Sequence, residues 1–172
     1  MKNIVLVGFM GTGKSAVARQ LAKDLGKKYI SLDEEIVERE GRPINDIFSN
    51  EGEPYFRQVE KEIVEEFSKK TDLVIDTGGG VVLDNDNMNN LKSSSMVVCL
   101  WATPETIYER TQKQSHRPLL KVEDPMGRIR DLLEYRRPFY QKAEVHIDTD
   151  VLSIPEIVEE VKKHISDKES DG

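Results

Sequence analysis

Eight consecutive residues, Gly8-Phe9-Met10-Gly11-Thr12-Gly13-Lys14-Ser15, have the types and the spacing to hold a polyphosphate. In the pattern G-x-x-x-x-G-K-S the glycines let backbone N–H groups wrap an anion, and a helix that follows adds the positive end of its dipole. The nucleotide cradle is then Gly11, Thr12, Gly13, Lys14, Ser15 and Ala16, with Lys14 on the β- and γ-phosphates and the Ser15 hydroxyl on Mg²⁺. ATP and Mg²⁺ are the expected cofactors. A glycine-rich turn with an incidental lysine is the bland alternative. Against it, an apolar run precedes the motif and a helical stripe follows, the context the chemistry requires. Switches, motors and kinases all use this loop, so the motif leaves the phosphoryl acceptor open.

Other positions bear on the acceptor. Asp33 ends the second apolar run, where ligands of parallel α/β sheets gather, and a carboxylate there can take a proton from an attacking hydroxyl. Helix N-capping is its equal alternative. Gly78-Gly79-Gly80 follows the third run; three glycines in a row cost chain entropy, so either something approaches that backbone, or positive φ is needed, or the segment is a plain turn. Arg57 and the pair Arg136-Arg137 read locally as surface charges or as anion ligands. Arg117 is placed like a lid arginine that closes on transferring phosphate. His116, His146 and His164 lack metal-ligand spacing, so no structural zinc is expected.

These residues need a scaffold. Strand-length apolar runs occur at Ile4–Val7, Tyr29–Leu32, Leu73–Ile75, Met96–Leu100 and Val145–Ile147. Most do not alternate with polar residues, as suits a sheet covered on both faces. Helical stripes lie between them. Val17, Leu21, Ala22 and Leu25 end at Gly26, and Ile154, Ile157, Val158, Val161 and Ile165 follow Ser153 and Glu156 at capping-box spacing. Thr103-Pro104-Glu105 reads as a helix start. The expected fold class is α/β, a three-layer α/β/α domain with a five-stranded, mainly parallel sheet. One domain is expected over 1–166, with a substrate-binding insertion at 33–70, a polar lid at 112–124 and a disordered tail at 167–172.

Bulk composition narrows the partners. The 172 residues carry a net charge of −7, which disfavours a nucleic-acid binder, since phosphate backbones demand a basic face. The start of the chain lacks a cleavage site and reads as a buried strand, and no segment is long enough to span a membrane. The single cysteine, Cys99, lies in an apolar run and is expected to be buried and reduced. A cytoplasmic monomer is the expectation.

Over nearly its whole length the sequence resembles the shikimate kinase family. The resemblance rests on Gly8–Ser15, Asp33, Asp46-Ile47-Phe48, Gly52-Glu53, Phe56-Arg57, Glu60, Gly78–Gly80, Arg117-Pro118-Leu119-Leu120, and Arg136 with Pro138 and Tyr140. It implies a P-loop kinase fold with a lid and a substrate-binding insertion, and transfer of the ATP γ-phosphoryl group to the 3-hydroxyl of shikimate. It further implies that Arg57 and Arg136 clamp the substrate carboxylate, that Asp33 holds ring hydroxyls, and that Gly78, Gly79 and Gly80 lie against the substrate. Phe48 and Phe56 would line the ring's apolar side, Glu60 would brace Arg57, Arg117 would reach the phosphates, and Arg110 would lie near adenine. One departure is plain. The family commonly carries D-x-D where this chain has Ser31-Leu32-Asp33, so the carboxylate that helps hold the Mg²⁺ hydration shell is missing at 31, and Asp76 is the expected substitute. A kinase of a related polyol acid such as gluconate, and a catalytically silent nucleotide-binding module, are the alternatives.

Overall fold

The computed structural model describes residues 2–113 and 121–170. Five strands form, β1 (Asn3–Gly8), β2 (Lys28–Ser31), β3 (Leu73–Asp76), β4 (Ser95–Trp101) and β5 (Val145–Asp148). They make one sheet in the order β2-β3-β1-β4-β5, and every pairing in it is parallel. The helices are α1 (Lys14–Leu25), α2 (Leu32–Glu40), α3 (Ile44–Glu51), α4 (Glu53–Ser68), α5 (Asn85–Ser94), α6 (Pro104–Gln112), α7 (Pro125–Tyr140) and α8 (Ile154–Ser170).

Alternate strand residues feed two cores. Ile4, Leu6, Val74, Val98 and Ile147 pack with Val17 and Leu21 of α1 and with Val158 and Val161 of α8. Val5, Val7, Ile30, Ile75 and Val97 face the opposite layer, which includes Ile36, Ile47, Ile63 and Ile129. Helices on both faces therefore cover the sheet, giving the three-layer α/β/α fold that the unalternating apolar runs predict. Cys99 is fully buried, and burial pushes its thiol up to about 12.

Local signals set the helix ends. Gly26 closes α1 in the left-handed conformation, with φ 65°. Thr103 caps α6, its side chain accepting from Thr106 N at 3.3 Å. Ser153 and Glu156 form the reciprocal capping box at the start of α8. That helix runs on to Ser170, so 167–170 are helical where the polar composition predicts disorder. Three helices, α2 to α4, lie between β2 and β3. Residues 114–120, most of the expected lid, lie outside the described residues. No helix among the described residues is long and apolar enough to cross a membrane.

The chain crosses from one side of β1 to the other between β3 and β4, so the strand order reverses at β1. Open α/β sheets bind ligands at that switch point, beyond the carboxyl ends of the strands. The Gly8–Ser15 loop springs from it.

At the other end of β1, buried Asn3 ties the sheet to the turn after α4. Its Nδ2 donates to Lys70 O at 2.7 Å and its Oδ1 accepts from Leu73 N at 3.0 Å. Asn3→Ala leaves both backbone groups without these partners, and urea unfolding should register a loss of about 2 kcal/mol with unchanged m. A smaller loss would mean that water replaces the amide.

Candidate active site

The phosphate loop owes its shape to backbone that only glycine tolerates. Gly8 has φ 145°, and a methyl group there would meet Leu100 O of β4 at 2.5 Å. Gly13, at φ 92°, caps α1 without a side-chain hydrogen bond, which leaves the first N–H groups of the helix for an anion. Lys14 is buried at the loop's centre, its Nζ donating to Gly8 O at 2.7 Å and to Phe9 O at 2.9 Å. Ser15 Oγ donates to Asp76 Oδ2 at 2.5 Å, joining the start of α1 to the end of β3. The Tyr29 hydroxyl donates to the same Oδ2 at 3.0 Å. Tyr29 is partly buried, and this raises its phenol above the ordinary value.

Asp33 lies in the first turn of α2, two residues past Ser31, the last residue of β2, rather than at the strand end itself. The cap of that helix is Ser31, whose Oγ accepts from Glu34 N at 3.3 Å. The Asp33 side chain instead reaches the glycine triplet. A methyl group on Gly78 would lie 2.9 Å from Asp33 Oδ1 and 3.5 Å from Glu60 Oε2. One on Gly79 would lie 3.1 Å from Arg136 Nη1, and one on Gly80 would collide with the Arg57 guanidinium. None of the three has positive φ. Close approach is therefore what the triplet serves, and each glycine makes room for a different charged side chain.

Two further contacts hold this cluster. Arg57 Nη1 donates to Glu60 Oε1 at 2.8 Å, one helical turn along α4. Burial of Glu60 outweighs the nearby guanidinium and pushes its carboxyl up to about 7. The Tyr140 hydroxyl donates to Gly79 O at 2.6 Å and anchors the middle of the triplet to α7. Arg136, on the same helix, is 6% exposed, packs over the Phe9 ring and keeps a buried Nε with no hydrogen-bond partner. A buried guanidinium with an unused donor is suited to an anionic ligand.

The Phe48 and Phe56 rings stack 4.7 Å apart at the apolar side of the cleft. On the nucleotide side, Arg110 donates to Gly11 O, Thr149 Oγ1 and Thr149 O at 3.2, 3.1 and 3.0 Å, so its guanidinium is fixed beside the loop. One cleft is lined by Gly11–Ala16, Asp33, Arg57, Gly78–Gly80, Arg110 and Arg136 together with Ser31, Glu60 and Asp76. Arg117 lies outside the described residues. No group of three or more His, Cys, Asp or Glu residues among the described residues is arranged to hold a metal. A cation here would need phosphate and water oxygens to complete its shell.

Two contributors escape sequence reasoning. Tyr140 is visible only as part of a pattern, with nothing to connect it to Gly79. Tyr29 looks like an ordinary strand residue, although its place two before Ser31 puts both on one face of β2.

The model of the shikimate kinase family matches residues 10–166. A shikimate kinase from Thermodesulfovibrio yellowstonii is 46% identical over 95% of this chain and 94% of its own length. One from Thermus thermophilus is 48% identical over 92% of this chain and 86% of its own. The structure of a shikimate kinase from Acinetobacter baumannii in complex with shikimate superposes with a TM-score of 0.93 at 37% identity, covering 98% of this chain and 94% of that one. With the loop, the charged cluster and the sheet order all in place, the chain belongs to the shikimate kinase family.

Proposed function

We propose that the chain transfers the γ-phosphoryl group of ATP to the 3-hydroxyl of shikimate, giving shikimate 3-phosphate and ADP. The observation that carries this reading is the convergence of Arg57, Arg136 and Asp33 on Gly78–Gly80, in the same cleft as the phosphate loop. A carboxylate bearing a ring of hydroxyls fits that arrangement. The two guanidiniums take the carboxylate, the Arg136 Nε being an unspent donor, while Asp33 accepts from ring hydroxyls. Phe48 and Phe56 offer the ring an apolar wall.

In the transfer, the acceptor oxygen bonds to the γ-phosphorus as the bond from phosphorus to the β,γ-bridging oxygen breaks. Asp33 receives the hydroxyl proton, and ADP leaves with the bridging oxygen. Lys14 and the N–H groups of the loop meet the charge on the phosphates. Arg117 is read as the lid arginine that adds to them. Mg²⁺, when bound, neutralises charge on the phosphate oxygens. The donor chemistry fits it. The Ser15 hydroxyl donates its hydrogen bond to Asp76, so the Ser15 oxygen keeps its lone pairs for a hard cation, and the Asp76 carboxylate can accept from metal-bound water. The reading includes a monomer in the cytoplasm acting without nucleic acid, supported by the −7 charge, the use of ATP and the lone buried cysteine.

A coupled ADP-release assay with shikimate, with gluconate and without acceptor tests the reaction; turnover specific to shikimate is the expected result. Arg136→Ala should lower kcat/KM for shikimate by about a hundredfold while ADP affinity stays unchanged. Arg136→Lys should not restore it, because an ammonium lacks the planar fork. Equal turnover of gluconate would discard the acceptor.

Glu60 adds a pH signature. Its folded pKa of about 7 lies above the ordinary 4.5, so the protonated acid favours the native state. That contribution is complete below 4.5 and is lost as pH rises through about 7. Urea midpoints of the wild type should fall across this window, by on the order of 3 kcal/mol in stability, and Glu60→Gln should lack that limb. Identical pH profiles in the two proteins would show that Glu60 titrates normally.

A further inference from the structure

The carboxyl end of the sheet carries an arrangement that phosphate binding and acceptor binding leave unexplained. β2 and β3 are parallel neighbours in which Ser31 pairs with Asp76. Both residues line the cleft, but they contribute differently to it. Ser31 brings no charge, and its Oγ already serves α2 as the cap. The negative charge of this rung sits on Asp76, one strand closer to β1 and the phosphate loop.

Asp76 is 6% exposed, and a carboxylate so buried needs hydrogen bonds to stay put. Two hydroxyls supply them, Ser15 at 2.5 Å and Tyr29 at 3.0 Å, both on Oδ2. The Tyr29 phenol is itself held. Arg19 of α1 lies 4.7 Å above its ring and pairs with Glu34 of α2 at 3.5 Å. Tyr29 stands two residues before Ser31 on β2, so the strand that lacks a carboxylate at this edge supplies the donor that holds its neighbour's.

We propose that Tyr29 is a positioning residue for the cation of the phosphoryl-transfer reaction: its hydroxyl fixes Asp76 so that the carboxylate accepts the Ser15 hydrogen bond and holds the cation's water. This deepens, and rests on, the reading of the chain as an Mg²⁺-dependent kinase. Mg²⁺ tolerates little departure from octahedral geometry, so a carboxylate free to rotate would serve it poorly. Tyr29 touches neither phosphate nor acceptor in this scheme and acts only through Asp76.

Metal affinity is the discriminating readout. Mn²⁺ binding to the wild-type protein with ADP would be followed by electron paramagnetic resonance, and ADP binding without metal by calorimetry. Tyr29→Phe keeps the ring and removes the hydroxyl. It should weaken Mn²⁺ binding about tenfold, the low end of the effect of outer-shell partners, and leave metal-free ADP binding and shikimate KM unchanged. Asp76→Asn should weaken Mn²⁺ at least as much. Unchanged Mn²⁺ affinity in Tyr29→Phe overturns the proposal. So does an equal loss of metal-free ADP binding, which would mean that the phenol merely shapes the loop. Shikimate-dependent ADP release by the wild type, measured on the same sample, tests the kinase reading separately.

Discussion

Four charged side chains can converge on one short backbone segment only where that segment carries no side chains of its own, and that constraint organises this cleft. Asp33, Glu60, Arg57 and Arg136 come from three different helices and converge on one backbone segment, Gly78–Gly80. Asp33, Arg136 and Arg57 would each collide with, or press closely on, a Cβ at its glycine, and Glu60 lies in contact beside Asp33. The triplet must in turn be held, because glycine backbone is otherwise free to move. Its tethers are the Tyr140 hydroxyl on Gly79 O and the Thr77 hydroxyl on Leu6 O, which lock it to α7 and to β1. The docking of α4 and α7 is thus tied to the chemistry. Their buried faces carry Glu60 and Arg136 beside the apolar residues that pack the core, with Arg57 at the edge of the α4 face.

The charge balance in the cluster explains why one acid yields. Burying Glu60 and Arg136 beside the half-buried Asp33 and Arg57 costs desolvation that pairing only partly returns. Glu60, the most buried acid, relieves that cost by holding its proton more tightly, although Arg57 lies 2.8 Å away. A substrate carboxylate arriving between the arginines would alter this balance, so the pocket meets its ligand with charge that is only partly neutralised.

Much of this architecture was readable from residues alone. The five strands lie where the apolar runs predict, to within a residue or two at each end, and Gly26, Thr103 and the Ser153–Glu156 pair end or begin helices as their chemistry requires. The phosphate loop was legible because its pattern is contiguous, and its function requires the strand and helix that flank it. Asp33, Arg57 and Arg136 are individually ambiguous, since a cap or a surface charge uses the same residue types. Their roles depend on long-range convergence, which a resemblance can suggest but local pattern cannot. Asp33 illustrates the limit. Its residue type suits both a cap and a cleft ligand, and the structure divides the two, giving the cap to Ser31 and the cleft to Asp33. The helical tail to Ser170 is not legible in the residues, because polar composition at a chain end reads as disorder, whereas α8 continues its turn.

In the Ser31–Asp76 rung the carboxylate stands on β3 and the hydroxyl on β2. Neighbouring strands in register place residues at the same height above the sheet edge, about 4.8 Å apart. A carboxylate on either strand of such a rung therefore stands at nearly the same height. The choice of strand is not neutral for the surroundings. On β2 the side chain would share its position with the cap of α2, whereas on β3 it lies deeper and takes the Ser15 hydroxyl directly. Greater burial strengthens its interaction with a cation but raises the cost of leaving it unheld. A second donor from the adjacent strand is what such a site needs, and Tyr29 is in place to provide it. Ser31, the buried aspartate at 76 and the phenol at 29 form one physical unit, because the residue that supplies the charge determines how that charge must be supported.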